Sequence, residues 1–125
     1  MRKARPKNLN LRTIRLPLPA LVSILHRFSG ILLFLVLPFL LLLLEESLVS
    51  PESFEHMHTI AAYPAVRILL LILAWAFLHH SLAGLRLLAF DVRSEASTTH
   101  GRRSSKLVLI ISLTLMLMIA VGFWQ

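Results

Sequence analysis

At 125 residues, with 57% hydrophobic residues, mean hydropathy +0.78 and a formal net charge of +7, the chain is too apolar for a soluble domain and too short for more than one compact unit. Nucleic-acid binding requires a soluble basic face, whereas the basic residues here flank hydrophobic runs, so no nucleic-acid partner is expected. With no cysteine, disulfides, thiolate ligands and Cys-ligated iron–sulfur clusters are excluded.

The amino-terminal arm, residues 1–19, carries Arg2, Lys3, Arg5, Lys7, Arg12 and Arg15 with Pro6, Pro17 and Pro19. The apolar run that follows is longer than the core of a cleaved signal peptide. Within the arm, Leu9 to Leu16 alternates apolar and polar residues. It reads as an interfacial stretch, as a strand-like arm gripping a soluble partner, or as a plain basic tether to membrane lipid.

The first apolar span runs from about Ala20 to Leu44, the second from about Pro64 to Phe90 and the third from about Leu107 to Trp124. Each is long enough to cross a hydrocarbon core of roughly 30 Å. Lipid leaves backbone polar groups unsatisfied and three strands cannot close a barrel, so the expected fold is an all-α membrane protein of three transmembrane helices in one domain. Pro38 removes a backbone donor inside the first span and predicts a bend. Near the start of that span, Ser23 and Arg27 stand four apart on one helix face, with His26 beside them. Arg27 is either a snorkelling side chain or part of a site, and Ser23 either bonds back to its own helix or faces a ligand.

The connection from Glu45 to Tyr63 holds Glu45, Glu46, Glu52 and Glu55 with no Lys or Arg. His56 and His58 lie there with too few neighbours for a metal site and read, like His100, as surface histidines. In the second span His79, His80, Ser81, Gly84 and Arg86 are the polar or small residues, while Trp75 and Phe77 read as packing. Adjacent histidines point about 100° apart on a helix, so only one can face a given partner. His80 and Gly84 share a face, which leaves room beside an imidazole for a flat ring. That arrangement suits haem ligation, and equally an interhelical hydrogen bond. Asp91 ends the span beside Arg86 and Arg93, as a solvated ion pair or as a group taking up protons. The following loop holds Arg93, Arg102, Arg103 and Lys106, and Trp124 ends the third span as an interfacial anchor. Basic residues cluster in the arm and in this loop and are missing from the other connection and the tail. The expected orientation is therefore a cytoplasmic amino terminus and a carboxyl terminus on the opposite, periplasmic side.

The run Arg5-Pro6-Lys7-Asn8-Leu9-Asn10-Leu11, the segment Ser23-Ile24-Leu25-His26-Arg27-Phe28-Ser29-Gly30 and the segment His80-Ser81-Leu82-Ala83-Gly84-Leu85-Arg86 with Asp91 together resemble the cytochrome b556 membrane-anchor subunits of succinate dehydrogenase. The resemblance covers nearly the whole chain. It implies a bacterial inner-membrane succinate:quinone oxidoreductase with a flavoprotein subunit, an iron–sulfur subunit and a second hydrophobic anchor subunit. It implies His80 as one axial ligand of a haem b shared with that second anchor, Ser23 and Arg27 as ubiquinone-binding residues, and His26 and Arg27 beside the haem propionates. Asp91 and Arg86 would line a proton path. Some relatives place a histidine directly after the arginine of the second signature, where this chain has Leu87, so that histidine's role does not transfer. The rival readings are a haem-free structural anchor, a self-contained cytochrome using both His26 and His80, and a fumarate reductase anchor. A transporter would show more intramembrane polarity and an internal repeat.

Overall fold

The computed structural model describes residues 15–93 and 98–124. The run of residues 5–11 and most of the alternating basic arm therefore lie outside the described residues. Four helices follow one another: α1 (Leu18–Ser47), α2 (Pro51–Ala62), α3 (Pro64–Arg93) and α4 (Thr98–Phe123). Prolines punctuate them. Pro17 stands extended at the head of α1, and Pro19 falls in the first turn, where a missing N–H costs nothing. Tyr63, in front of Pro64, is pushed to an extended conformation, which separates α2 from α3. Pro38 sits inside α1, which continues through it as one helix.

α1, α3 and α4 contain the three apolar segments long enough to span a membrane: Leu18–Ser47, Pro64–Val92 and His100–Phe123. The shortest, at 24 residues, is about 36 Å long at 1.5 Å per residue. The protein is an all-helical, multi-pass membrane protein, as the hydropathy predicts; α1 and α3 outrun the expected spans by at most three residues at either end, whereas α4 begins well before Leu107, taking the basic segment with it.

The second helix was not anticipated. The acidic connection between the first two spans folds as α2, started by the Ser50 hydroxyl accepting the Ser53 N–H at 3.1 Å and by Pro51 at the first helical position. Glu52 lies in the first turn, where its own backbone N–H and then the Ser50 side chain hold its carboxyl below the ordinary glutamate range.

α3 is the central element, antiparallel to α1 on one side and to α4 on the other, while α1 and α4 touch more sparingly. The common core is small, with Val22, Ala83 and Val108 contributed by α1, α3 and α4 and flanked by Leu82 and Leu109. Ser29, Ser105 and Ser112 are buried as well, and each returns its hydroxyl to a carbonyl of its own helix. Small side chains let helices approach in lipid, where there is no hydrophobic drive between them. Large apolar side chains point outward instead, Phe28, Phe34, Phe39, Phe77 and Leu88 among them. Trp75, expected as packing, is half-buried, whereas Phe77 is on the outer surface.

Two arginines of α3 fasten it to α4. Near the start of α4, Arg86 donates from Nε to the Ser104 hydroxyl (2.9 Å) and from Nη2 to the Gly101 carbonyl (3.2 Å), with its guanidinium 5.0 Å from the Phe90 ring centre. At the other end, Arg67 Nη1 donates to the Phe123 carbonyl at 2.7 Å, placing a cation on the free carbonyls of a helix C-terminus.

Candidate functional site at the crossing of α1 and α3

His26 and Gly30 are four residues apart on α1, and His80 and Gly84 four apart on α3. Because the helices run antiparallel, each histidine meets the other helix's glycine. A Cβ on Gly30 would lie 2.8 Å from His80 Cε1 and 3.2 Å from its Nδ1, and one on Gly84 would lie 3.4 Å from His26 Nε2. The two imidazoles stack between the backbones, ring centres 4.3 Å apart and planes 12° from parallel. The glycine that makes room for His80 is thus Gly30 and not Gly84, as the spacing along the second span had indicated. The signal was present in the sequence as the same His-x-x-x-Gly spacing repeated on both helices.

His80 Nδ1 stands 3.1 Å from the His26 backbone carbonyl. A carbonyl oxygen only accepts, so Nδ1 carries the proton and Nε2 keeps its lone pair. The Ser29 hydroxyl, 3.5 Å from the same Nδ1, donates to that carbonyl at 2.9 Å. His80 Nε2 makes no hydrogen bond among the described residues and is not sealed from the surface. This is the arrangement in which an imidazole binds a metal through one nitrogen while the other is held by a fixed acceptor.

His79 points elsewhere, as the helical angle requires. It is fully buried, stacked on Trp75 at 5.2 Å and 27°. Among the described residues neither ring nitrogen, nor Trp75 Nε1, makes a well-formed hydrogen bond, although the Val22 backbone of α1 lies close enough to interact with the His79 ring.

Ser23 is half-buried and makes no hydrogen bond among the described residues, unlike Ser29, Ser105 and Ser112. Arg27, one turn on, is exposed, and the adjacent His26 turns inward to His80. His26 and Arg27 therefore do not point together, because neighbouring residues diverge by about 100°. Asp91 is exposed, and among the described residues no ion pair joins it to Arg86, whose guanidinium is occupied by α4. A cleft of about 530 Å³ opens between α3 and α4, walled by Leu82, Leu85, Leu107 and Ile111 with Arg86 and Arg103 on its polar side. It lies on the face of α3 that packs on α4. His56, His58 and His100 are exposed, and no three His, Asp or Glu residues gather into a metal site among the described residues. Arg67 was passed over in the sequence because it sits at the head of an apolar span, where only the C-terminus of α4 shows what it does.

Long antiparallel apolar helices crossing at an interlocked histidine pair define a class: small polytopic membrane proteins that carry imidazole within the bilayer. The family described as Succinate dehydrogenase/Fumarate reductase transmembrane subunit matches residues 1–119. A succinate dehydrogenase cytochrome b556 subunit from Coxiella burnetii (strain RSA 493 / Nine Mile phase I) is 35% identical over 125 residues, covering 99% of this chain and 100% of the relative. The chain belongs to the succinate dehydrogenase/fumarate reductase transmembrane subunit family.

Proposed function

We propose that the chain is the haem b-binding membrane anchor of a succinate dehydrogenase in a bacterial inner membrane, with its basic end cytoplasmic. It would assemble with a second hydrophobic anchor subunit, an iron–sulfur subunit and a flavoprotein subunit. The observation that carries this reading is His80, whose Nδ1–H is held on the His26 carbonyl and whose Nε2 lone pair is left accessible.

The residues present fit a haem held between two subunits. A haem held by this chain alone would need the macrocycle between the nitrogens of His26 and His80, and those rings are instead face to face at 4.3 Å. The second ligand would then come from outside, as a histidine of the second anchor. Arg27, exposed and cationic, would receive a propionate, whereas the His26 ring turns inward, with Nε2 towards Gly84, and would reach one only by turning out of the crossing. Bound there, the haem supplies a one-electron store beside the quinone.

This chain's own contribution to quinone reduction is to bind and polarise. The Ser23 hydroxyl, which makes no hydrogen bond among the described residues, donates to a ubiquinone carbonyl oxygen. The Arg27 guanidinium, one turn away on the same side, stabilises the negative charge that grows on that oxygen as electrons arrive from the iron–sulfur subunit. Protons reach this end of the bundle from the cytoplasmic surface, where exposed Asp91 is the carboxylate at the end of α3. Arg86 contributes to that path by fixing the start of α4 beside it.

The deciding measurement is the reduced-minus-oxidised optical spectrum of the purified complex, wild type against His80→Leu. Loss or displacement of a b-type band in the variant is expected. An unchanged band removes His80 from the site, and no band in the wild type leaves a haem-free anchor.

A further inference from the structure

We infer that Gly30 and Ser29 of α1 are positioning residues that set the orientation and basicity of His80, acting through the backbone carbonyl of His26. The inference deepens the haem reading and rests on it.

Three observations converge on one nitrogen. Gly30 leaves the space that the Cε1–Nδ1 edge of the His80 ring takes up against α1, since a Cβ there would come within 2.8 Å of Cε1. At that depth the His80 Nδ1–H reaches the His26 carbonyl at 3.1 Å. The same carbonyl already accepts the Ser29 hydroxyl at 2.9 Å, so two donors share one acceptor. A ligand imidazole whose remote N–H is firmly bonded is the better electron donor, and it favours the oxidised metal. Displacing the ring from α1 weakens that bond. Removing the competing hydroxyl strengthens it. The two changes therefore push the potential of a metal on Nε2 in opposite directions.

Gly84 is the internal control. It matches Gly30 in the antiparallel register, but its missing Cβ faces Nε2 of the His26 ring at 3.4 Å, at the near limit of ordinary contact with a side chain that can give.

The experiment is a redox titration of the haem in the assembled complex, with its low-spin spectrum and haem content, for Gly30→Ala, Ser29→Ala and Gly84→Ala. A higher midpoint potential is expected for Gly30→Ala, a lower one for Ser29→Ala, and a value within error of wild type for Gly84→Ala. A purely packing role would move all three the same way or none. Unchanged potentials in Gly30→Ala and Ser29→Ala, or shifts of the same sign, overturn the inference. Should Gly30→Ala fail to assemble, Ser29→Ala decides alone, and an unchanged potential there is fatal. His80→Leu, measured in parallel, separates the two levels. A low-spin haem retained in that variant sinks the ligand reading itself. Its loss alongside unaltered Gly30→Ala and Ser29→Ala sinks only the positioning of the ligand.

Discussion

At the scale of single residues, the neighbours His79 and His80 show how about 100° of helix separates two chemistries. His80 offers an accessible nitrogen with its other nitrogen bonded. His79 buries two nitrogens that make no well-formed hydrogen bond among the described residues, with the Val22 backbone alongside. A buried polar group without a hydrogen bond costs about 1–3 kcal/mol, and replacing it by an apolar group of the same shape is neutral or stabilising. His79→Phe keeps the stack on Trp75 and removes two poorly bonded nitrogens along with the interaction with the Val22 backbone, so the complex is expected to retain its haem band and to melt close to the wild-type temperature. A lost band would show that His79 is doing something the geometry does not reveal. Ser23 makes the opposite case, a hydroxyl that bonds to nothing among the described residues. Ser23→Ala is expected to lower kcat/KM for quinone by roughly 2- to 10-fold, the worth of one hydrogen bond of about 0.5–1.5 kcal/mol, with the haem spectrum unaltered. An undiminished quinone reductase rate would take Ser23 out of the site.

At the scale of elements, α2 and the end of α4 owe their definition to polar groups that hydropathy overlooks. The Glu52 carboxylate is held below its ordinary value of 4.5 by its own N–H and the Ser50 hydroxyl. A carboxylate depressed in the folded state stabilises it fully above the unfolded value and loses that contribution as pH falls through the lower folded value. The cap of α2 is therefore intact at pH 5 and above and loosens below the ordinary glutamate value. NMR shifts of the Glu52 and Ser53 amides in detergent should titrate with a midpoint below 4.5, and should lose that depression in Ser50→Ala. At the far end, Arg67→Gln shortens the side chain and removes the charge that rests on the Phe123 carbonyl. Hydrogen bonds between helices in lipid are worth about 0.6 kcal/mol on average, so the expected effect is local. Amide exchange over the last turn of α4 should quicken while the rest of that helix is unaffected.

At the scale of the whole molecule, the bundle is shallow. α1 buries little beyond Val22 and Ser29, and its outer face is a sheet of exposed phenylalanine and leucine. In a bilayer that face is stable against lipid. The charge asymmetry predicts which end is cytoplasmic, and since the chain has no cysteine, single-cysteine variants test it cleanly. A cysteine in place of Lys106 should react with an impermeant maleimide only after the inner membrane is opened, whereas one in place of Glu46 should react in cells whose outer membrane alone is permeable. The reverse pattern would invert the topology.

What the sequence by itself determined is what adds up along the chain. Hydropathy is a local sum, so three helical spans, their order and the side on which basic residues gather were legible, as were the polar residues worth watching: Ser23, His26, Arg27, His80, Arg86 and Asp91. α2 was not, although its start signal stands in Ser50-Pro51-Glu52, because a short acidic helix adds nothing to a sum of apolar residues. What only the tertiary structure decided is which residues meet across helices. Gly30 lies fifty residues from His80, and Ser104 eighteen from Arg86. Their pairing depends on how far one helix slides and turns against another, a relation that no periodicity within one helix contains. The single carbonyl shared by Ser29 and His80 follows from that slide, because a shift of one residue at the α1–α3 crossing would set a side chain where each imidazole now finds a glycine.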